Sequence, residues 1–258
     1  MIELNPAYEH LRADVQSIDS LIARATLIHR GRNTLYQVDM AGLPLCIKCY
    51  GFSSVLKRWL YRYLRASKAR RAWRNTLLLR QAGIHSPEPV ALLETYSLRG
   101  IETSYYICRY EPGATLYHLG DLPLSECRPT VVRLARFAAA MHERDIMLSD
   151  FTPGNILLTA GGFALVDTNR MSIGRVSLLK GLHNMAGLWL QPDAAELLAR
   201  EYVTARGETS PEPYVRAFAR YRRLFWKRFA RRHRLRDLII HRDVDGSSYT
   251  YHFNTTIR

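Results

Sequence analysis

The sequence has no apolar run approaching the roughly 18 residues a membrane-spanning helix needs, which excludes a bundle of transmembrane helices. Its opening, Met1-Ile2-Glu3-Leu4-Asn5-Pro6, lacks the basic-then-apolar order of a signal peptide, so we expect a protein that stays in the cytosol. Cysteine is scarce, four in 258 residues, which argues against a disulfide-stapled fold and suits a reducing compartment. Cys46 and Cys49 form a CxxC, but no second pair completes a four-ligand zinc site. They also fall in Leu45-Cys46-Ile47-Lys48-Cys49-Tyr50, an expected strand, where alternation sends them to opposite faces. Buried free thiols are therefore expected ahead of metal or redox chemistry. Internal repeats and low-complexity linkers are absent as well.

Acid is short in particular places. The chain carries 37 basic against 23 acidic side chains, a net charge of +14, and no Asp or Glu lies between Asp39 and Glu88. Eight basic residues and no acid run from Lys57 to Arg74, interleaved with Trp59, Tyr61, Tyr63 and Trp73. Ten more and no acid run from Arg216 to Arg236, where spacings of three and four put Phe218, Tyr221, Phe225 and Phe229 on one helical face. Basic helices carrying aromatics suit an anionic membrane surface or an anionic glycolipid. The bland alternative is that the aromatics pack inward while the arginines solvate the outer face. Nucleic acid competes as a partner, but no base-stacking or groove-reading motif supports it, and none is expected.

What is present fits a two-lobed fold with one cleft. The length exceeds one small domain, and 47% hydrophobic residues are ordinary for a globular chain. A helical lead-in is expected to about Ala25, then strands at Thr26–His29, Leu35–Met40 and Leu45–Cys49. Leu56–Ala82 reads as one or two helices, Val90–Thr95 and Ser104–Arg109 as two further strands, and Glu111-Pro112-Gly113 as a breaker. Beyond it come a helix at Ser125–Glu143, a small hairpin, and helices over most of Leu178–Arg236. The expected fold is α+β: an antiparallel N-lobe with one helix (1–109) and a mainly helical C-lobe (110–258), the bilobal plan of protein kinases.

The hairpin carries the chemistry. Asp150 is followed five residues later by Asn155, and Asp167 closes the strand after the Gly161-Gly162 turn. A carboxylate, an amide and a second carboxylate on such a frame are what a kinase-like phosphotransferase needs. Asp150 would accept the proton of an attacking hydroxyl, while Asn155 and Asp167 would ligate the Mg2+ bound to ATP. Lys48, on the third strand, would contact the α- and β-phosphates. The turn His29-Arg30-Gly31-Arg32-Asn33-Thr34 would cover them, with Gly31 and Asn33 as contacts, although one glycine makes a poor glycine-rich loop. Arg170 is a candidate contact to the acceptor or a salt-bridge partner within the loop.

Four segments resemble the Kdo/WaaP lipopolysaccharide kinases: Ser67-Lys68-Ala69-Arg70-Arg71-Ala72-Trp73, Ala82-Gly83-Ile84-His85-Ser86-Pro87-Glu88-Pro89, Asp150-Phe151-Thr152-Pro153-Gly154-Asn155-Ile156-Leu157 and Val166-Asp167-Thr168-Asn169-Arg170-Met171. The resemblance covers roughly Ile28 to Met171. It implies ATP-dependent transfer of phosphate to a Kdo or heptose hydroxyl of the lipopolysaccharide inner core. It also implies a peripheral position at the cytoplasmic face of the inner membrane, where the basic-aromatic helices would meet an anionic glycolipid substrate.

Three departures qualify that expectation. Leu148 stands where kinases usually have the catalytic-loop histidine, and Thr168-Asn169 replaces Phe-Gly after the metal aspartate. The acid-free stretch leaves no helix carboxylate for Lys48, so Asn75, Gln81 or Asp167 must orient it. A catalytically degenerate pseudokinase that binds anionic lipid or a partner protein is the alternative. A small-molecule kinase of the aminoglycoside or choline type ranks below both, because those sites gather acid around cationic acceptors.

Overall fold

Alternation of apolar and polar residues builds the first half of the chain, and helical periodicity most of the second. The computed structural model describes residues 1–52, 54–233, 238–242 and 249–253, with side chains up to residue 232. Two compact units emerge: Met1–Pro112 together with Ala164–Arg170, and Gly113–Phe163 together with Met171–Arg258.

The first unit opens on β1 (Ile2–Leu4), a 3-10 stretch at Pro6–Leu11, and helices α1 (Arg12–Gln16) and α2 (Ile18–Arg24). Strands β2 (Thr26–Arg30), β3 (Asn33–Met40) and β4 (Leu43–Tyr50) follow, then helices α3 (Val55–Tyr63) and α4 (Lys68–Gln81). Strands β5 (Pro89–Ser97) and β6 (Gly100–Arg109) complete a six-stranded sheet in the order β1-β5-β6-β4-β3-β2. All five pairings within it are antiparallel. The helical lead-in expected from residue 1 is corrected at its start, because Ile2–Leu4 pairs with Ala91–Leu93 as an edge strand. Three residues cannot show a period, and their partner lies some 90 residues away.

The two faces of the sheet carry separate cores. Leu45, Ile47 and Cys49 of β4 pack with Leu11, Val15, Ile18 and Leu21 from the lead-in. Cys46 and Tyr50 pack on the other side with Ala69, Ala72 and Trp73 of α4. The CxxC cysteines therefore do lie on opposite faces, and all four cysteines are free thiols. The period of two that separates them puts Lys48 on the α4 side.

One fully buried carboxylate ties α4 to the sheet. Glu94 of β5 accepts from Ser67 (the residue that also caps the first turn of α4), from Ser104 Oγ at 3.1 Å, Arg70 Nη2 at 3.2 Å and Tyr96 OH at 2.5 Å. Arg70 also reaches Glu3 of β1 at 3.0 Å. A buried charge is tolerated only when its lone pairs are satisfied in this way.

In the second unit β7 (Ala114–Thr115) precedes α5 (Leu124–Glu143) and β8 (Ile146–Leu148). The hairpin is β9 (Ile156–Thr159) and β10 (Gly162–Leu165), with β9 pairing β7 antiparallel. Strand β11 (Met171–Ile173) returns to pair β8, setting Met171 opposite Leu148. Helices α6 (Leu178–Met185), α7 (Pro192–Ala205) and α8 (Glu212–His233) follow, then the antiparallel pair β12 (Leu238–Arg242) and β13 (Tyr249–Phe253). On α8 the buried residues are Phe218, Arg222 and Trp226, spaced by four. The expected Phe218-Tyr221-Phe225-Phe229 face does turn inward, with Tyr221, Phe225 and Phe229 half-buried, and Arg222, four residues after Phe218, joins it to donate to Leu188 O at 2.6 Å and Leu190 O at 2.8 Å. Backbone acceptors satisfy a guanidinium that its charge alone would assign to solvent. Basic residues 234 and 236 lie outside the described residues.

Glu94→Ala would leave Arg70 and three hydroxyls without their shared acceptor. A loss of about 3–5 kcal/mol in unfolding free energy is expected. Urea denaturation checks this, and a loss under 1 kcal/mol would contradict the anchoring role.

Candidate functional site

Asp167 is built into the first unit from both sides. Upstream, Leu165 N donates to His85 O at 3.0 Å and Ser86 Oγ donates to Leu165 O at 2.7 Å. Downstream, Asn75 Nδ2 donates to Thr168 O at 2.6 Å, and Thr168 Oγ1 meets Thr76 Oγ1 at 2.9 Å and Ala72 O at 3.3 Å. These bonds clamp the residues flanking Asp167 while its own backbone sits at φ +55°, in the left-handed region that side chains rarely enter. Strain of this kind persists only where neighbours over-determine it, as they do here.

Lys48 Nζ lies 2.5 Å from Asp167 Oδ1, with the lysine side chain 12% exposed and the aspartate 30%. Asp167 thus supplies the anion that no residue between Asp39 and Glu88 can supply, and Asn75 braces the loop instead of the lysine. Asn169 Nδ2 donates to the same Oδ1. The lysine ammonium also stands 5.2 Å from the centre of the Tyr50 ring. Burial, and then the negative Asp167, hold the Tyr50 phenol well above its ordinary range, so it stays neutral.

Cations gather nearby. Burial lowers the Lys68 pKa, and the charges of Arg32, Lys57 and Arg170 lower it further against the opposing pull of Asp167. Arg71 is lowered by burial, by Arg65 and by Arg170 among others. A protein gains nothing by crowding like charges, so this cluster suits a polyanionic ligand. Lys68 and Arg71 were not singled out for this role in the sequence; the signal was their place at the start of a helix with no acid. In the β2–β3 turn, Gly31 N donates to Asn33 O at 3.1 Å, closing the turn on itself. Asn33 Oδ1 is buried without a hydrogen-bond partner among the described residues. Arg170 is exposed.

In the second unit Asn155 and Asp150 are brought together. Asn155 Nδ2 donates to Asp150 O at 2.9 Å and to Thr152 Oγ1 at 3.3 Å, and Asn155 N donates to Thr152 O at 2.9 Å. The amide nitrogen is therefore committed to the loop, which leaves Oδ1 as the atom available to a cation. No hydrogen bond among the described residues ties up the Asp150 carboxylate, which leaves its oxygens open to a donor.

Leu148, where a histidine strut is usual, is held by a different route. Arg206 Nη1 donates to Tyr202 OH at 2.9 Å, and that hydroxyl contacts His142 Nδ1 at 2.9 Å. His142 Nε2 meets Asn184 Oδ1 at 3.2 Å, and Asn184 Nδ2 donates to Leu148 O at 2.8 Å. With neutral His142 protonated on Nε2, every member donates to the next, ending on the carbonyl two residues before Asp150. Gly181 permits the contact: a Cβ there would stand 1.9 Å from Tyr202 Oη and 2.8 Å from His142 Nδ1. Sequence reading missed His142 and Asn184, which lie 42 residues apart with no motif linking them.

The donor set can be tested against the groups expected to bind. Asp167 Oδ and Asn155 Oδ1 are hard oxygen donors of the kind Mg2+ takes, and Lys48 with the Lys68 cluster complements phosphate. Taken one by one, these residues have the donor chemistry that magnesium and a nucleoside triphosphate call for.

No protein-family model matches the sequence, and no curated protein matches it. Among solved structures, WaaP in complex with acyl carrier protein is similar at TM-score 0.60 and 16% identity, over 90% of this chain and 98% of that one. The PknI kinase domain of Mycobacterium tuberculosis matches at TM-score 0.43 and 19% identity, over 77% and 96%. A thermostable mutant of aminoglycoside phosphotransferase APH(4)-Ia, in a ternary complex with ADP and hygromycin B, matches at 0.45 and 15%, over 84% and 92%. The chain has the fold of WaaP, an α+β protein-kinase-like fold.

The strut sets a pH dependence. Burial, as the largest cause, lowers the His142 pKa to about 4, against 6.5 in an unfolded chain. Between those values the unfolded state binds the extra proton, so stability is full above about pH 6.5 and falls as pH drops towards 4. The loss is on the order of 3 kcal/mol. Denaturation of wild type and His142→Gln from pH 4 to 7 checks it, with the variant losing this part of the slope.

Proposed function

We propose that this chain is an ATP-dependent kinase of the Kdo/WaaP type. Its acceptor would be a sugar hydroxyl, on Kdo or heptose, of an anionic glycolipid, the inner core of lipopolysaccharide. The observation that carries the reading is the Lys48–Asp167 pair, clamped on both sides inside a WaaP-like fold that also carries the Asp150-x4-Asn155 loop. The cations around Lys68 support an anionic acceptor over the cationic ones taken by antibiotic kinases.

In this reading Asp150 orients the acceptor hydroxyl and takes its proton through a carboxylate left free of internal bonds. Lys48 offsets charge on the phosphates, and Lys68 with Arg170 lends further positive potential. Asn155 Oδ1 and Asp167 would hold magnesium, which would supply positive charge to offset that of the phosphates. Thr168, Asn75 and Ser86 keep Asp167 in place, and the His142–Asn184 strut keeps the start of the Asp150 loop in place. Most of the rate enhancement then comes from positioning and electrostatics, since phosphoryl transfer leaves little covalent work to the protein.

The test is phosphate transfer from labelled ATP, with magnesium, to a panel of truncated lipopolysaccharide cores, the product located by mass spectrometry. Wild type should label a Kdo or heptose hydroxyl, and Asp150→Ala should lower turnover by about 100-fold or more. Asp150→Ala should still show the thermal shift that ATP with magnesium gives wild type. No labelled core, or near-normal turnover by the variant, would overturn the reading. Absence of any thermal shift in wild type would favour a pseudokinase.

A further inference from the structure

Helix α3 turns both of its arginines inward. On an ordinary surface helix the apolar stripe faces the core and the charges face water. Here no residue of α3 is buried, and the half-buried ones are Arg58, Leu60, Tyr61 and Arg62. Arg58 Nε donates to Ile101 O at 2.9 Å and its guanidinium reaches Glu102 at 3.8 Å. Arg62 lies over the Tyr96 ring at 5.4 Å. The backbone of the helix rests on the β5–β6 turn so closely that a Cβ on Gly100 would stand 2.4 Å from the Arg58 carbonyl carbon. That close approach is possible only for glycine, and it fixes which way the helix faces.

The opposite side is apolar and open. Val55, Leu56, Trp59, Tyr63 and Leu64 follow helical spacing along one face, Leu56 at 74% and Leu64 at 69% exposure. Leu98, two residues before Gly100 on the turn beneath, adds a sixth apolar side chain at 90% exposure. Exposed Lys57, Arg65 and Arg99 rim this surface, and Glu102, the nearby acid, is already engaged by Arg58. The other basic-aromatic helix behaves differently: α8 buries Phe218 and Trp226.

We propose that α3 with Leu98 is the seat by which this protein lies on a bilayer containing anionic phospholipid. A contiguous apolar face of this extent marks an interaction site. Aromatic and leucine side chains with cations at the rim are what the headgroup boundary accepts, and no described helix is long and apolar enough to cross the membrane. Cationic rim and anionic lipid are complementary, which favours this occupant over a second copy of the same basic chain. The seat also stands near the candidate site, since Lys57 of α3 acts electrostatically on Lys68, and Lys68 on Asp167. A glycolipid held in that membrane would be met by the same unit. The inference does not need phosphate transfer, and it is read by binding alone.

The experiment is co-sedimentation of the full chain with vesicles of phosphatidylglycerol and phosphatidylethanolamine, and with vesicles of phosphatidylcholine alone. Wild type should bind the anionic vesicles, with a blue shift in tryptophan emission as Trp59 leaves water. Leu56→Glu/Trp59→Glu should weaken that binding at least about tenfold. Both side chains face solvent, so the thermal midpoint should hold, and a circular dichroism melt confirms that the variant folds. Equal binding by variant and wild type would overturn the proposal, as would binding lost only when α8 arginines are changed. A wild-type dimer that the double variant converts to monomer, without vesicle binding by either, would also overturn it.

Discussion

The Lys48–Asp167 ion pair is the constraint around which the candidate site is arranged. A lysine at 12% exposure needs an anion, and the acid-free stretch from residue 40 to 87 denies it one from either neighbouring helix. The counter-charge comes instead from the residue expected to hold magnesium. In the proposed reading one carboxylate both orients the lysine and would ligate a cation, which calls for a well-held loop. Its position at φ +55°, between Ser86 on one side and Thr168, Asn75 and Thr76 on the other, meets that demand.

Side-chain hydrogen bonds recur where a charged or aromatic strut is missing. Thr168 and Asn75 occupy the part a helix carboxylate would otherwise play, fixing the loop when they cannot fix the lysine. In the second unit the line from Arg206 through Tyr202, His142 and Asn184 ends on the Leu148 carbonyl, which restores support at a position that has lost its histidine. Such chains hold only while each donor finds its acceptor, and proton uptake at His142 reverses one link. Two of the three departures from the usual kinase pattern, the missing helix carboxylate and Leu148, thus have a structural answer in residues distant in sequence.

What was legible in the sequence was local. Strands β2 to β6 announce themselves by alternation, and the β9–β10 hairpin by its paired glycines. Asp150 and Asn155 stand out by their spacing ahead of a hairpin that ends near Asp167, and the structure adds that the Asn155 amide bonds back to the Asp150 carbonyl. Lys48 could be placed on the third strand, and the packing of Cys46 and Tyr50 against α4 then shows which face it takes. What escaped was non-local or orientational. The edge strand at Ile2–Leu4 depends on a partner near residue 92, and the His142–Asn184 link spans 42 residues. The facing of α3 was also hidden, since Arg58 and Arg62 turn inward only because a carbonyl and a tyrosine ring await them. Composition indicated basic-aromatic helices. Which of them keeps its apolar side open is decided by tertiary contacts.

The double duty of Asp167 is most directly tested by calorimetric titration of ATP, with and without magnesium, into wild type and Asp167→Asn. Wild type should bind ATP more tightly when magnesium is present, and the variant should bind ATP with no gain from magnesium. Equal magnesium enhancement in both proteins, or no ATP binding by wild type, would contradict the account.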